Sequence, residues 1–279
     1  MEDQNRIKDI VDSVTKLAEV VPVYQDLIQP GIKQLGKSIE TVAKAVNVAL
    51  TPVGVFVWGY EKIKEHILTK VSEKLKNVPL EEIAPPKANV VGPAVEALRF
   101  IGPEETLREL YTNLLATSID ARTASLAHPS FVEIIKQMTP DEARLMKLFT
   151  RDGAFPVLNV SAKVKTGSGG GITAFRNFSL LGEEANCEHK QLTPTYLDNL
   201  CRLGLINIPE NGSYTNKTVY EPLKSHLTLK AIISAVNNVP DREAEIEEKI
   251  ILITSLGRQF LKACVDDHDT IRMNNIPIL

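Results

Sequence analysis

Between Pro85 and Thr139 the chain reads PPKANVVGPAVEALRFIGPEETLRELYTNLLATSIDARTASLAHPSFVEIIKQMT, and its prolines and glycines leave room only for short helices. Pro93 and Pro103 each stand where a first helical turn begins, Gly102 where a helix ends, and His128-Pro129 opens a third segment. Leu107, Leu110, Tyr111, Leu114, Leu115 and Ile119 recur at helical spacing, as do Phe131, Ile134, Ile135 and Met138. Each helix therefore buries one stripe. Helices this short are not stable alone in water, so they must pack into a bundle or onto a partner.

The same reading extends upstream. Ile7, Ile10, Val11, Val14, Leu17 and Val21 share one face of an amphipathic helix ending near Pro22, and Ile32, Leu35, Ile39, Val42 and Val46 share another, before Pro52 interrupts it. A third pattern runs from about Val53 to Leu75. After Thr139 the period changes. Thr139-Pro140-Asp141-Glu142 is a helix start with a cap, a proline and an acidic first turn. Residues 155–164 alternate with period two, GSGGG at 167–171 separates them from Ile172 to Leu181, and a hairpin with a glycine-rich tip follows. Leu192-Thr193-Pro194 starts a compact helix that ends at Leu203-Gly204-Leu205-Ile206; KIILIT at 249–254 reads as a strand leading into SLGRQFLKAC. That order resembles a winged helix-turn-helix. The expected fold is mainly α: an all-helical domain at 1–138, then a winged helix-turn-helix-like α+β module with a glycine-rich hairpin at 139–279.

A formal net charge of -3 removes any overall attraction to nucleic acid or an anionic membrane. Three scattered cysteines and no signal-peptide pattern point to a reducing cytoplasm rather than a disulfide framework. The apolar run from Ala45 to Tyr60 is broken by Asn47, Thr51, Pro52 and Gly54, and falls short of the roughly 20 residues a membrane span needs. It reads as a buried core helix, with an interfacial segment as the alternative.

No motif carries chemistry. GSGGG lacks the Lys-Ser/Thr ending of a phosphate loop and precedes a strand rather than a helix. Cys187, His189 and Cys201 lack the paired spacing of a zinc site. Asp120 and His128 would make an acid/base pair if the fold joined them, but helix-terminal hydrogen bonds are the commoner role for such residues. On the 192–203 helix the polar positions Thr195, Asp198, Asn199 and Arg202, with Lys217 in the following loop, form a candidate contact surface. It holds too little positive charge for a typical DNA reader. No catalytic residue, cofactor or metal is assigned.

Val91-Gly92-Pro93, Glu96-Ala97, Leu107-Arg108-Glu109-Leu110-Tyr111, Leu114-Leu115-Ala116, Asp120 and His128-Pro129-Ser130-Phe131-Val132, in this order and spacing, resemble the Abi-alpha family, the bacterial abortive-infection α-helical domain. Tyr24-Gln25-Asp26, Leu35-Gly36-Lys37 and Trp58-Gly59-Tyr60 resemble its N-terminal helices. The resemblance implies a cytoplasmic bacterial protein of phage defence, with no established catalytic set. It makes Gly92, Pro93, Glu96, Arg108, Tyr111, Asp120, His128 and Pro129 a structural signature. The expected function is non-enzymatic, through a protein partner or homo-oligomer; the alternatives are a membrane surface engaged on activation through the N-terminal helices, and DNA bound by the winged module.

Overall fold

The computed structural model describes residues 69–101, 104–166 and 170–274. The expected helices before residue 69, with Gly102, Pro103 and the centre of the glycine-rich tip, lie outside them. The elements run α1 (described from 69 to 74), α2 (Ala88–Ile101), α3 (Glu105–Ile119), α4 (Ser130–Lys136) and α5 (Pro140–Leu148). Then come β1 (Phe155–Val164), β2 (Ile172–Phe178), α6 (Leu181–Glu184), α7 (Thr193–Arg202) and β3 (Ile206–Asn207). The rest are α8 (Glu221–Ser225), α9 (Leu227–Asn237), β4 (Arg242–Ile253), α10 (Ser255–Phe260), a π turn (Leu261–Val265) and α11 (His268–Asn274).

The fold is α+β overall: helix-rich, so the expected mainly α character holds in part, with a sheet larger than expected. One antiparallel sheet of four strands has the order β2-β1-β4-β3. Ten consecutive pairs join β1 to β4, from Phe155 with Ile251 to Val164 with Arg242. The first half of β4, REAEIE, was not legible as a strand. Glu243, Glu245 and Glu247 are exposed there, while Ala244 and Ile246 pack inward; the alternation has period two, but glutamate and alanine are poor strand formers and mask it. The helices α8 and α9 between β3 and β4 were also unforeseen. Packing on the sheet holds them, since neither is long enough to persist alone.

β1 is the wall between two apolar clusters. Phe155 and Val157 face the larger cluster, which runs through α1, α2, α3, α4, α5, α7 and α10. Leu158, Val160 and Ala162 face the smaller one, closed by Tyr220, Leu223, Leu229 and Val236 of the α8–α9 region and Phe178 of β2. Period-two geometry makes this possible in one strand. The larger cluster joins residues on both sides of position 138: Phe131 stacks edge-on against Phe260 at 5.3 Å. Two side chains one turn apart on α3 bond carbonyls of the π turn, Asn113 Nδ2 to Cys264 O at 2.9 Å and Thr117 Oγ1 to Ala263 O at 3.1 Å.

Several helix starts follow the local chemistry. At α5 the Thr139 Oγ1 accepts from the Glu142 N–H at 3.2 Å and Glu142 Oε2 accepts from the Thr139 N–H at 2.6 Å, a complete capping box. Pro93 departs from expectation: α2 begins at Ala88, so the proline is interior and Asn89 loses its helical donor. Burial of Val90, Val91, Ala94, Val95, Ala97 and Leu98 outweighs that loss. Gly204 ends α7 with φ of 73°, a left-handed value that favours glycine. Thr254 Oγ1 bonds the carbonyls of Gly204 and Leu205 and caps α10 by accepting from the Gly257 N–H at 2.8 Å.

This packs Gly257 against the backbone of Leu205, so that a Cβ on it would overlap the Leu205 carbonyl oxygen. Gly257→Ala is expected to destabilise the protein by about 3 kcal/mol, the upper range for overpacking. Gly153→Ala has open space around its Cβ but a φ of 109°, and should cost less. Chemical denaturation of the two variants side by side checks the order.

Candidate functional site

The strongest electrostatic features are two buried carboxylates. Asp141 stands in the first turn of α5, where the helix dipole favours an anion. It is 3% exposed, yet it accepts from the Glu188 N–H at 2.8 Å, the His189 N–H at 2.9 Å and the Tyr196 hydroxyl at 3.0 Å, and pairs with Arg144. Burial alone would push its carboxyl up; the backbone donors of His189 and Glu188, with Arg144 and Tyr196, outweigh this and hold it below the usual carboxylate range. Its carboxylate thus fastens α5 to the 187–189 loop and to α7. Glu142 adds a second tie by accepting from Asn199 Nδ2 at 2.7 Å.

Asp120 caps the end of α3 and is fully buried. Its Oδ1 accepts from the Arg122 N–H at 2.9 Å; its Oδ2 accepts from Arg272 at 2.7 Å and lies 3.0 Å from His268 Nε2. Burial again raises its proton affinity, and the bonds from His268, the Arg122 backbone and Arg272 lower it further than burial raises it. Arg272 also pairs with Glu82, which Arg122 grips with Nε at 2.9 Å and its terminal nitrogen at 2.6 Å. Asp120 beside His268 has the outline of an acid/base dyad. However, His268 is 3% exposed and its Nδ1 is buried without a hydrogen-bond partner among the described residues. The imidazole is enclosed by protein, and the pair ties α11 to the end of α3.

The residues singled out from the sequence fall as follows. Asp120 does not meet His128: the His128 ring bonds Ser130, Nδ1 to Oγ at 2.6 Å, at the start of α4, and stacks 5.8 Å from Phe131. Pro129 is the residue before that helix. Tyr111 is fully buried with its hydroxyl on the Val132 carbonyl at 3.2 Å, Gly92 is half-buried and Glu96 is exposed. Arg108 is half-buried, and its carbonyl accepts from Thr112 Oγ1 at 2.8 Å. Cys187 is buried with its thiol towards the Asp141 carbonyl, and burial first, then the Asp141 charge, push its pKa up to about 11. Cys201 is half-buried on α7.

Most of the candidate contact surface is already engaged. Asp198 accepts from Asn177 at 2.7 Å; Asn199 also bonds the Gln137 carbonyl; Arg202 forks onto Asn199 and reaches Gln137; Lys217 pairs with Glu248 at 2.7 Å. Thr195 is exposed on the same helix. The residues that complete the Asp120 cluster, Glu82, His268 and Arg272, gave no sequence signal, because two of them lie about 150 positions away in the chain.

The family model described as "Abortive infection alpha" matches residues 59–264. No curated protein matches the chain. Among solved structures the chain is similar to an uncharacterized protein from the hydrocarbon-degrading marine bacterium Alcanivorax borkumensis SK2, at 20% identity over 51% of this chain and 94% of that one, with a TM-score of 0.35.

Asp141→Ala strands three donors and a guanidinium and is expected to cost about 3–5 kcal/mol in urea denaturation. Both Asp120 and Asp141 have native pKa values below their unfolded ones, near 3.9. Their stabilisation is therefore complete above about pH 4–5 and is lost as pH falls through the native values. The melting temperature of the unaltered chain should drop steeply below about pH 4, and Asp141→Asn, already weakened at neutral pH, should show a shallower acid drop.

Proposed function

The chain belongs to the abortive infection alpha family, and from that premise we propose that it serves defence against phage through macromolecular contact, without chemistry of its own. The observation that carries this reading is the saturation of Asp120 and Asp141, the buried carboxylates held below the usual carboxylate range. Asp141 holds four side-chain or backbone donors and Asp120 three, each spent on joining elements of the same chain. Groups poised for proton transfer need a face towards substrate, whereas these face the protein.

The second half supports a contact module of winged-helix type. Helix α5, strand β1, helices α6 and α7, then strands β3 and β4 follow the chain order of such a module, and the sheet order β1-β4-β3 agrees with it. In this reading β2 is an added strand, and α8 with α9 takes the place of the wing. Helix α7 then occupies the recognition position. Its polar residues Asn199 and Arg202 are bonded internally, which favours a protein partner or a second copy over DNA, where free cations must neutralise phosphates. No helix among the described residues is long and apolar enough to cross a membrane. The proposed setting is the bacterial cytoplasm.

Cultures expressing the chain should outlast cultures without it when challenged with phage at low multiplicity. Thr195→Tyr, an exposed change on α7, should remove the protection while leaving the circular dichroism spectrum and melting temperature unaltered. Turnover of a nucleotide or nucleic acid by the purified protein would overturn the non-enzymatic reading, and retention of DNA that weakens steeply with salt would replace the protein partner by DNA.

A further inference from the structure

We infer that residues 266–274 form a strap, latched onto the body by polar side chains, that opens by itself while both apolar clusters stay folded. The larger cluster ends at Cys264, with Val265 packed partly against it. Asp266 then leaves the π turn in an extended conformation, φ −66° and ψ 157°. Beyond it α11 is a seven-residue helix, too short to hold its shape without outside contacts. Its buried apolar side chain, Ile271, belongs to neither cluster, and Met273 is 70% exposed.

What fastens the strap is polar. Asp269 accepts from Asn77 Nδ2 at 2.7 Å, His268 meets Asp120, and Arg272 bridges Asp120 and Glu82. These contacts reach three points that lie close together on the body. The Leu80–Glu82 turn is joined to the end of α3 by the Ala121 N–H on the Glu82 carbonyl at 2.9 Å and the Ala84 N–H on the Ile119 carbonyl at 2.8 Å. The body side of the latch is thus built without the strap. Glu82 keeps the Arg122 fork and Asp120 keeps the Arg122 N–H when α11 leaves.

The balance of costs also favours local opening. Closing the latch buries Asp120 and the His268 ring, and leaves His268 Nδ1 with no partner among the described residues. Opening rehydrates these groups and gives up the burial of one apolar side chain, Ile271, while both clusters keep theirs, so its free energy lies below that of global unfolding. The open seat presents two carboxylates beside one guanidinium and so draws Arg272 back, although the strap as a whole, with Asp266, Asp267 and Asp269, is anionic. The family match ends at residue 264, four residues before α11 begins.

Amide hydrogen exchange on the full chain, in a series of sub-denaturing urea concentrations, tests this. The amides of Ile271, Arg272 and Met273 should exchange at least about 100-fold faster than those of Leu114 and Leu115 in α3, and with almost no dependence on urea. Arg272→Gln should speed the strap amides a further ten- to hundred-fold or so, the loss expected for charge-assisted bonds, and leave the α3 amides unchanged. Strap and α3 amides that share one rate and one urea slope would overturn the inference. So would an Arg272→Gln chain that fails to fold or that loosens α3 equally, because either makes the latch part of the cooperative core.

Discussion

Strand β1 is the constraint on which the rest depends. Because successive residues point to opposite faces, ten residues supply Phe155 and Val157 to one apolar cluster and Leu158, Val160 and Ala162 to another. A strand buried on both faces must also satisfy its backbone on both edges. β2 covers one edge and β4 the other, the latter over the full ten pairs. That demand explains why the charged sequence of Arg242 to Glu247 is a strand at all. Its alternation is regular, but glutamate and alanine are poor strand formers, and the partner decides.

The charged groups serve the same end. Asp141 converts a helix start into a junction between α5, the 187–189 loop and α7, and Asp120 converts a helix end into a junction between α3, the Leu80–Glu82 turn and α11. In each case burial by itself would raise the carboxyl pKa, and the convergent donors reverse the sign. A carboxylate in that state is a fixed anion. Its chemistry is positional, and it draws distant segments of chain to one place. The two junctions differ in what lies around them: Asp141 sits within the larger apolar cluster's neighbourhood through Tyr196, whereas the helix that Asp120 holds lies beyond that cluster. Equal saturation therefore gives a rigid joint in one case and a latch in the other.

What was legible beforehand was local. The stripes of α3 and α4, the Thr139 cap, the span of β1, the hairpin and the Gly204 turn all follow from contacts between residues a few positions apart. Near neighbours in the chain set these elements, and the spacing of Gly92, Leu107, Tyr111 and His128-Pro129 marks the family. Long-range packing settles that Pro93 is tolerated inside α2, that 242–248 is a strand, that His128 turns to Ser130, and that Asp120 meets His268 and Arg272 instead. The reason is one of range: helical and strand periodicity and capping are written within one or two turns of chain, whereas the partner of a buried charge is chosen by whichever segment the packed core brings to it.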